Sequence, residues 1–287
     1  DLVRSRGLGD VYKRQGKEGG EIMKLGFTTA IFEKELKEKE VTLQDIVEFA
    51  EENTLEAIEL REGCVEDYDG EALHQLTQRH KNIHFTYAIK NDCLNERDEQ
   101  KVKGAIELSA SLSRESILRL VADGEIIKNE KRRYTFEEKT KIVNKLKKYA
   151  DMATRGRVML GLENAREPME DIKYLIDQVG SPLMGVTFDP GNLSSIAIER
   201  EDPLKALDSL EVSDIKLVHL KQTINGEPQT YISQGDIDIK KLLDRLNGMG
   251  YEGIICLEPR AGKGCRDAIK SSIGYMNKLY GKPWPYF

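Results

Sequence analysis

Short apolar runs of strand length alternate with segments of helical periodicity from Met23 onward. An apolar run bounded by turn residues is typical of a buried strand, and apolar residues three and four positions apart are typical of a helix with one buried face. The pattern predicts a series of strands, each followed by a helix. The predicted strands are residues 24–29, 57–61, 83–89, 116–122, 158–163, 184–189, 215–220 and 253–258.

Capping residues predict where several of the helices begin. Thr42 with Asp45, and Thr135 with Glu138, each have the spacing of a capping box, in which two backbone donors are satisfied reciprocally. The dipeptide Asp202-Pro203 supplies an N-cap and a first-turn proline for a further helix. The helix after Thr135 has the clearest apolar stripe, which consists of Ile142, Val143, Leu146, Tyr149, Ala150 and Ala153.

The regular succession of strand and helix predicts an α/β fold, a closed (β/α)8 TIM barrel that forms a single domain. An open doubly wound sheet is the alternative, but the sequence lacks the glycine-rich nucleotide-binding turn that often marks such a sheet. We expect the barrel to span residues 23–280, followed by a tail at 281–287. The tail is expected to dock on the barrel, with a contact in a homo-oligomer as the alternative.

Residues 1–22 are charged and glycine-rich, and they have neither helical periodicity nor the apolar core of a signal peptide. The hexapeptide at 10–15, DVYKRQ, corresponds to the translation of a transposon end used in preparing sequencing libraries. We therefore expect these residues to be a disordered, non-native leader and Met23 to be the native start. A genomic read that encoded the same leader without adapter sequence would contradict this hypothesis.

The composition disfavours two classes of partner. The 287-residue chain has a formal net charge of −6, and 33% of its residues are charged, so we expect its surface to repel nucleic acid and anionic membranes mildly. No apolar run approaches the roughly 20 residues of a membrane span. The four cysteines are scattered without C-x-x-C spacing, which is typical of a reduced, cytoplasmic protein. The sequence thus predicts neither nucleic-acid binding nor membrane binding.

Four successive predicted strands carry a metal-binding residue type at their carboxyl end, namely Glu163, Asp189, His219 and Glu258. Because the carboxyl ends of barrel strands all lie on one face, we expect these side chains to converge. Three adjacent carboxylates would resist ionisation unless a cation neutralised them, so the sequence predicts one divalent metal ion. Oxygen ligands with one imidazole favour Mn²⁺ or Mg²⁺, with Co²⁺ and Zn²⁺ as alternatives.

Taken singly, each of these four residues has a simpler interpretation. A carboxylate at a strand end is commonly a helix cap or an ion-pair partner, and a lone histidine is more often packed or solvent-facing than a ligand. The recurrence at corresponding places on four successive strands is the observation that favours a metal site.

Five motifs make the chain from Met23 to about Leu279 resemble the sugar phosphate isomerase/epimerase family, the TIM barrels akin to xylose isomerases. The motifs are GLENA around Glu163, FDPGN around Asp189, VHLKQ around His219, GDIDI at 235–239 and CLEPR around Glu258. The resemblance implies that the matching Glu, Asp, His and Glu bind one divalent metal, commonly Mn²⁺. It also implies that Glu163 and Glu258 act as catalytic acid and base on a small-molecule carbohydrate.

The activity that the resemblance implies is isomerisation or epimerisation of a small sugar, keto-sugar or sugar phosphate through an enediolate. A metal stabilises such an intermediate as a Lewis acid, while one glutamate removes the carbon-bound proton and the other returns it. If a β-hydroxyl leaves instead, the enzyme is a dehydratase of a keto-polyol. Two further alternatives are a nuclease of the endonuclease IV type, which the small number of histidines disfavours, and a non-catalytic sugar-binding barrel.

Two positions depart from the family pattern. Asn192 stands where a histidine is common three residues after the strand-six aspartate, and Gln222 stands where an acid often follows the lysine of the strand-seven motif. Asn192 can hydrogen-bond a hydroxyl group but cannot shuttle a proton at neutral pH. This difference counts against a tagatose-epimerase-like assignment more than against the metal site.

The candidates for substrate binding are Asn192, Lys221, Arg260, Arg61 and Tyr87. Lys221 and Arg260 follow two of the proposed ligands and could bind a substrate carboxylate, phosphate or enediolate oxygen. Pairing with local acids is the alternative for both. Arg61 and Tyr87 close two predicted strands near the mouth, and side-chain alternation could turn either one outward.

Overall fold

The computed structural model describes residues 23–113, 116–123, 131–195, 199–260, 264–281 and 283. The strands of its main sheet are β1 (Lys24–Thr28), β2 (Ala57–Arg61), β3 (His84–Ala88), β4 (Ile117–Leu120), β5 (Met159–Glu163), β6 (Met184–Phe188), β7 (Ile215–Leu220) and β10 (Ile254–Leu257). Between the last two, β8 (Thr223–Ile224) and β9 (Glu227–Pro228) form a short antiparallel pair. The main sheet is a closed barrel in the order β1-β10-β7-β6-β5-β4-β3-β2, and its strand pairs are parallel. The predicted single-domain TIM barrel is confirmed.

The helices surround this barrel. They are α1 (Glu33–Lys37), α2 (Leu43–Glu52), α3 (Gly70–Arg79), α4 (Asp98–Leu112), α5 (Phe136–Gly156), α6 (Met169–Val179), α7 (Pro190–Ser195), α8 (Pro203–Asp208), α9 (Ile239–Gly248) and α10 (Cys265–Tyr280). Both predicted capping boxes are present, at the start of α2 and of α5. The predicted apolar stripe of α5 is fully buried. Local sequence signals therefore fix these helix starts as well as their inward faces.

The segment just after β6 is a helix where the sequence suggests a turn. Proline followed by glycine is typical of a turn, but Pro190 begins the short helix α7. The side chain of Asp189 explains the difference, because its Oδ1 accepts a hydrogen bond from the backbone N–H of Asn192 at 2.9 Å. A side-chain acceptor followed by a proline starts a helix, since proline is tolerated in the first turn.

The barrel interior changes character along the strands. Towards their amino ends lies a small apolar cluster of Ala57, Ile117, Leu217, Ile254 and Cys256. Glu59 and Arg61 follow Ala57 in β2 at the spacing of two that keeps side chains on one face of a strand. The larger apolar core, in contrast, includes the outward residues Ile58 and Leu60. The small apolar cluster thus lies beneath a layer of charged side chains at the carboxyl mouth of the barrel.

None of the helices in the described ranges is long and apolar enough to cross a membrane. The proposed leader at 1–22, and the tail from 284 onward, lie outside the described residues. Their predicted character therefore stays a prediction.

Candidate metal centre

The structure brings Glu163, Asp189, His219 and Glu258 together at the carboxyl mouth of the barrel. One ligand atom from each of the four lies within 4.8 Å of those of the others. The first three residues are buried, and the side chain of Glu258 is 16% exposed. Side chains far apart in sequence converge here because each comes from the carboxyl end of a different parallel strand.

Strand register and one side-chain clamp aim these groups inward. His219 pairs with Cys256 of the apolar interior cluster, so its ring points into the barrel. Asp189 lies one residue beyond β6 and is held by Asn164 through two reciprocal bonds of 2.8 Å, one to its backbone N–H and one to its backbone C=O. Asn164 thereby replaces the missing strand pairing at the point where the carboxylate leaves the sheet.

Three cationic side chains contact the acidic residues of the cluster. Nζ of Lys221 lies 2.7 Å from Oδ2 of Asp189 and 3.2 Å from Oε2 of Glu258. A guanidinium nitrogen of Arg61 donates to Oε1 of Glu258 at 2.7 Å. Nε of Arg119 lies 2.9 Å from Oε2 of Glu163. Acidic groups packed this closely need opposite charge nearby, and these cations supply part of it.

Burial and charge act in opposite directions on Asp189 and Glu258. Burial is the largest influence on Asp189 and raises its pKa to about 6, although the ammonium group of Lys221 opposes the shift. Burial also acts to raise the pKa of Glu258, but Lys221, His219 and Arg61 outweigh it and hold that pKa well below the usual range. Glu258 is therefore a carboxylate at neutral pH.

The other two members of the cluster depend on each other. Burial acts to raise the pKa of Glu163, but the hydrogen bond to His219 and the charge of that ring outweigh it and lower the pKa. Burial acts to lower the pKa of His219, and the carboxylates around it, led by Glu59 and Glu258, raise it well above its usual value. Glu163 and Glu258 are thus both ionised, as a metal ligand or a catalytic base must be.

The donor set fits a divalent cation. Oδ2 of Asp189 is buried and accepts no well-directed hydrogen bond, although Lys221 lies close to it. Nδ1 of His219 faces Oε1 of Glu163 at 3.4 Å and Oε2 of Glu258 at 3.2 Å. Carboxylate oxygens and one imidazole nitrogen, one of these oxygens buried and without a well-directed hydrogen bond, suit Mn²⁺, Mg²⁺, Co²⁺ or Zn²⁺.

Of the predicted substrate-binding residues, three lie at the cluster. The side-chain amide of Asn192 donates to Oε1 of Glu163 at 3.1 Å, so it contacts a candidate ligand. Lys221 and Arg61 both contact Glu258, and their side chains are 14% and 21% exposed. These two cations are therefore within reach of both the acidic cluster and the mouth.

The structure does not bring the other two to the cluster. Tyr87 pairs in register with Leu60, one position out of phase with the inward-pointing Glu59 and Arg61, and it packs in the outer apolar core. Burial is the main reason that its pKa rises to about 12. Arg260 is exposed, and its backbone N–H donates to the carbonyl of Gln229.

Glu59 and Arg119 also contact the cluster, although neither is among the residues predicted from the sequence. Glu59 is fully buried, and its Oε2 lies 2.8 Å from Nε2 of His219. Arg119 is 5% exposed and also donates to the carbonyl of Ile89 at 2.8 Å. A signal existed, because each is a charged residue in the middle of an apolar strand. In a barrel covered by helices, such a residue can avoid an apolar environment only by pointing inward.

Gln222 has a structural role in this chain. Its side-chain amide donates to the carbonyl of Ile237 at 2.9 Å and accepts from the backbone N–H of Ile237 at 2.9 Å and of Thr223 at 3.0 Å. The buried amide therefore ties the two ends of the loop at 223–237 together. A carboxylate could accept the two bonds from the backbone N–H groups, but it could not donate to the carbonyl of Ile237. An amide therefore suits this position.

Gly191 leaves room for Lys221. A Cβ atom at this position would lie 2.2 Å from Cγ of the lysine. We expect Gly191→Ala to lower the free energy of unfolding by about 1–3 kcal/mol, because the buried lysine stem must shift. Urea unfolding of the variant measures the loss. Gly248→Ala is the matched control, since that glycine is also helical and a Cβ there would contact nothing within 4 Å. Equal stability of the two variants would contradict the expectation.

The fold and the site define a parallel (β/α)8 barrel with a cluster at its carboxyl mouth that could hold one divalent metal ion. The chain belongs to the family of xylose isomerase-like TIM barrels, whose model matches residues 22–279. The resemblance inferred from the motifs is therefore confirmed at the level of the family.

Individual relatives are more distant. An uncharacterized protein of Methanocaldococcus jannaschii is 25% identical over 136 residues, and the match covers 44% of this chain and 44% of that protein. The probable 3-DHS dehydratase of Bacillus anthracis, involved in petrobactin synthesis, superposes with a TM-score of 0.72 at 16% identity, over 89% of this chain and 99% of that one. An L-ribulose 3-epimerase superposes with a TM-score of 0.72 at 15% identity, over 91% of this chain and 95% of that one. The IOLI protein, solved with a binding zinc atom, superposes with a TM-score of 0.68 at 19% identity, over 92% of this chain and 100% of that one. Likenesses at these identities show the fold.

Proposed function

We propose that the protein is a divalent-metal-dependent isomerase or epimerase of a small sugar, keto-sugar or sugar phosphate. The observation that carries the proposal is the cluster of Glu163, Asp189, His219 and Glu258. One possible ligand atom from each of these side chains lies within 4.8 Å of those of the others. Structural neighbours support it, since one is an L-ribulose 3-epimerase and another was solved with zinc. Mn²⁺ is our first choice of metal, because oxygen ligands outnumber the single nitrogen.

The residues of the site suggest how the reaction proceeds. A divalent ion held by the four residues would act as a Lewis acid that favours enediolate formation from a hydroxy-carbonyl substrate. Glu258 and Glu163 are ionised, so one of them takes the proton from the substrate carbon. In an isomerisation the protonated glutamate can give that proton to the neighbouring carbon. In an epimerisation the other glutamate, after taking a proton from water, gives it to the opposite face of the carbon. Arg61 and Lys221 stabilise the negative charge that grows on the substrate oxygens.

A dehydratase of a keto-polyol is the second candidate. The observation that favours it is Lys221, whose ammonium group lies among the acidic residues with its pKa raised by Asp189 and Glu258 against the effect of burial. An ammonium that stays protonated at this place could donate a hydrogen bond to a departing hydroxyl group, while the proton that a glutamate takes from the substrate carbon completes the water that leaves. The likeness to a probable 3-DHS dehydratase supports this alternative.

One screen tests both candidates. Ketoses, sugar phosphates and inososes are incubated in deuterated water with metal-stripped protein and with protein reloaded with Mn²⁺. We expect deuterium to enter a carbon next to the carbonyl only in the reloaded sample, as read by NMR. Product mass then separates the candidates, because a dehydratase product has lost water. Failure of the purified protein to bind metal stoichiometrically, together with no exchange, would overturn the proposal.

A further inference from the structure

Glu59 lies directly behind His219 in the barrel interior. Oε2 of Glu59 and Nε2 of His219 are 2.8 Å apart, and both side chains have no solvent exposure. The opposite ring nitrogen, Nδ1, faces Glu163 and Glu258. The two nitrogens of one ring therefore have separate surroundings, a carboxylate beneath and the candidate metal ligands above.

We propose that Glu59 is a positioning residue that holds the Nε2–H of His219 and so makes Nδ1 the metal-binding atom. The inference rests on the metal site of the proposed function. A histidine that donates one ring N–H to a carboxylate is fixed in tautomer and ring orientation, and its other nitrogen becomes a better ligand. Glu59 itself lies on the far side of the ring and acts through it.

The remaining contacts of Glu59 connect it to a second ligand. Its Oε1 lies 3.5 Å from Nε of Arg61 without a well-directed hydrogen bond. The guanidinium of Arg61 in turn donates to Glu258 at 2.7 Å. A continuous set of contacts therefore runs from His219 through Glu59 and Arg61 to Glu258, and the orientations of two candidate ligands depend on it.

A carboxyl group with no solvent exposure destabilises a fold unless it is hydrogen-bonded, so Glu59 at this position requires its contact with His219. Ala57, a member of the small apolar cluster, lies on the same face of β2 two residues before Glu59. An apolar residue at 59 would continue that cluster. The glutamate instead satisfies the one ring nitrogen that faces the barrel interior.

The test compares metal binding by the full chain with Glu59 intact and replaced. The probes are Zn²⁺ and Mn²⁺, and the dissociation constant is measured by competition with a chromophoric chelator. We expect Glu59→Leu to weaken binding about 10–100-fold, the usual effect of removing such a partner of a metal-bound histidine. Glu59→Gln keeps an oxygen that accepts from Nε2–H and should recover part of the loss.

The tautomer of His219 gives a readout that a purely structural role would not move. In zinc-loaded protein labelled with ¹⁵N-histidine, we expect Nδ1 to be metal-bound and Nε2 to carry the proton, with the signal assigned by its loss in His219→Gln. Glu62→Gln is the matched control, because Glu62 follows the same strand and its carboxylate pairs with Lys101 outside the cluster. This control should bind zinc as the parent chain does.

Several outcomes would overturn the inference. Unchanged zinc affinity in Glu59→Leu, or a metal on Nε2 in the parent chain, would contradict it while leaving the metal site in place. If the parent chain bound neither ion, the proposed function would fail as well. Should Glu59→Leu not fold, the parent-chain tautomer and the affinity of Glu59→Gln still decide the question.

Discussion

Glu258→Gln is expected to lower the rate of deuterium exchange by about 10²–10⁴-fold on whichever substrate the screen identifies, because the amide cannot take a proton from carbon. The carboxylate is held well below its usual pKa by Lys221, His219 and Arg61, so the parent protein presents it as a base throughout the neutral range. The amide is also a poorer ligand, and metal affinity should fall with activity. Single-turnover exchange at saturating Mn²⁺ separates the two effects.

The control for this variant comes from the segment that leads into the same strand. Glu252 lies just before the other end of β10 and is exposed, so Glu252→Gln removes one negative charge without touching the cluster. Its exchange rate and metal affinity should match those of the parent protein. Intact turnover in Glu258→Gln, with the control equally active, would refute a catalytic role for Glu258 and with it the proposed mechanism.

The strands and the four clustered residues were predictable because the relevant signals are local. The predicted bounds of β2 and β7 match the structure, and those of the other barrel strands differ by one or two residues at their ends. A polar residue that closes an apolar run must lie at a strand end, and parallel topology brings such ends to one face. Glu163 at the end of β5 illustrates both steps.

Register and phase were not predictable. Tyr87 and Arg61 both lie at strand ends and look equivalent in sequence, but the register places Tyr87 beside Leu60 on the outer face. Side-chain period is two, so a one-residue difference in phase moves a residue from the mouth to the helix layer. The role of Glu59 was hidden for a related reason, since its partner His219 lies 160 residues away.

The acidic cluster has two sources of compensating charge. Three carboxylates that the sequence places at one end of the barrel predict a metal ion, and the structure adds cations of the chain itself, with Lys221 contacting both Asp189 and Glu258. Burial still raises the pKa of Asp189, and its Oδ2 accepts no well-directed hydrogen bond despite the nearby ammonium of Lys221. The chain's own cations therefore make the cluster tolerable within the fold, and the arrangement still leaves carboxylate oxygens that could bind a metal ion.

Arg119→Met tests this division of roles through stability. Arg119 is 5% exposed, lies 2.9 Å from Glu163 and donates to the carbonyl of Ile89. Its removal leaves a buried carboxylate without that partner, which should lower the free energy of unfolding of metal-free protein by about 3–5 kcal/mol. Urea unfolding measures the loss. The exposed Arg79→Met is the control and should change stability by less than about 0.5 kcal/mol.

Metal should reduce this loss. A bound ion compensates the charge of Glu163 directly, so the variant should bind Mn²⁺ more tightly than the parent chain and regain part of its stability in saturating Mn²⁺. Unfolding is therefore measured with and without the ion in both proteins. A loss as large with Mn²⁺ as without it would show that Arg119 acts by orienting Glu163 and bonding the Ile89 carbonyl. In that case a metal ion could not replace Arg119 as the positive charge that stabilises the carboxylate of Glu163.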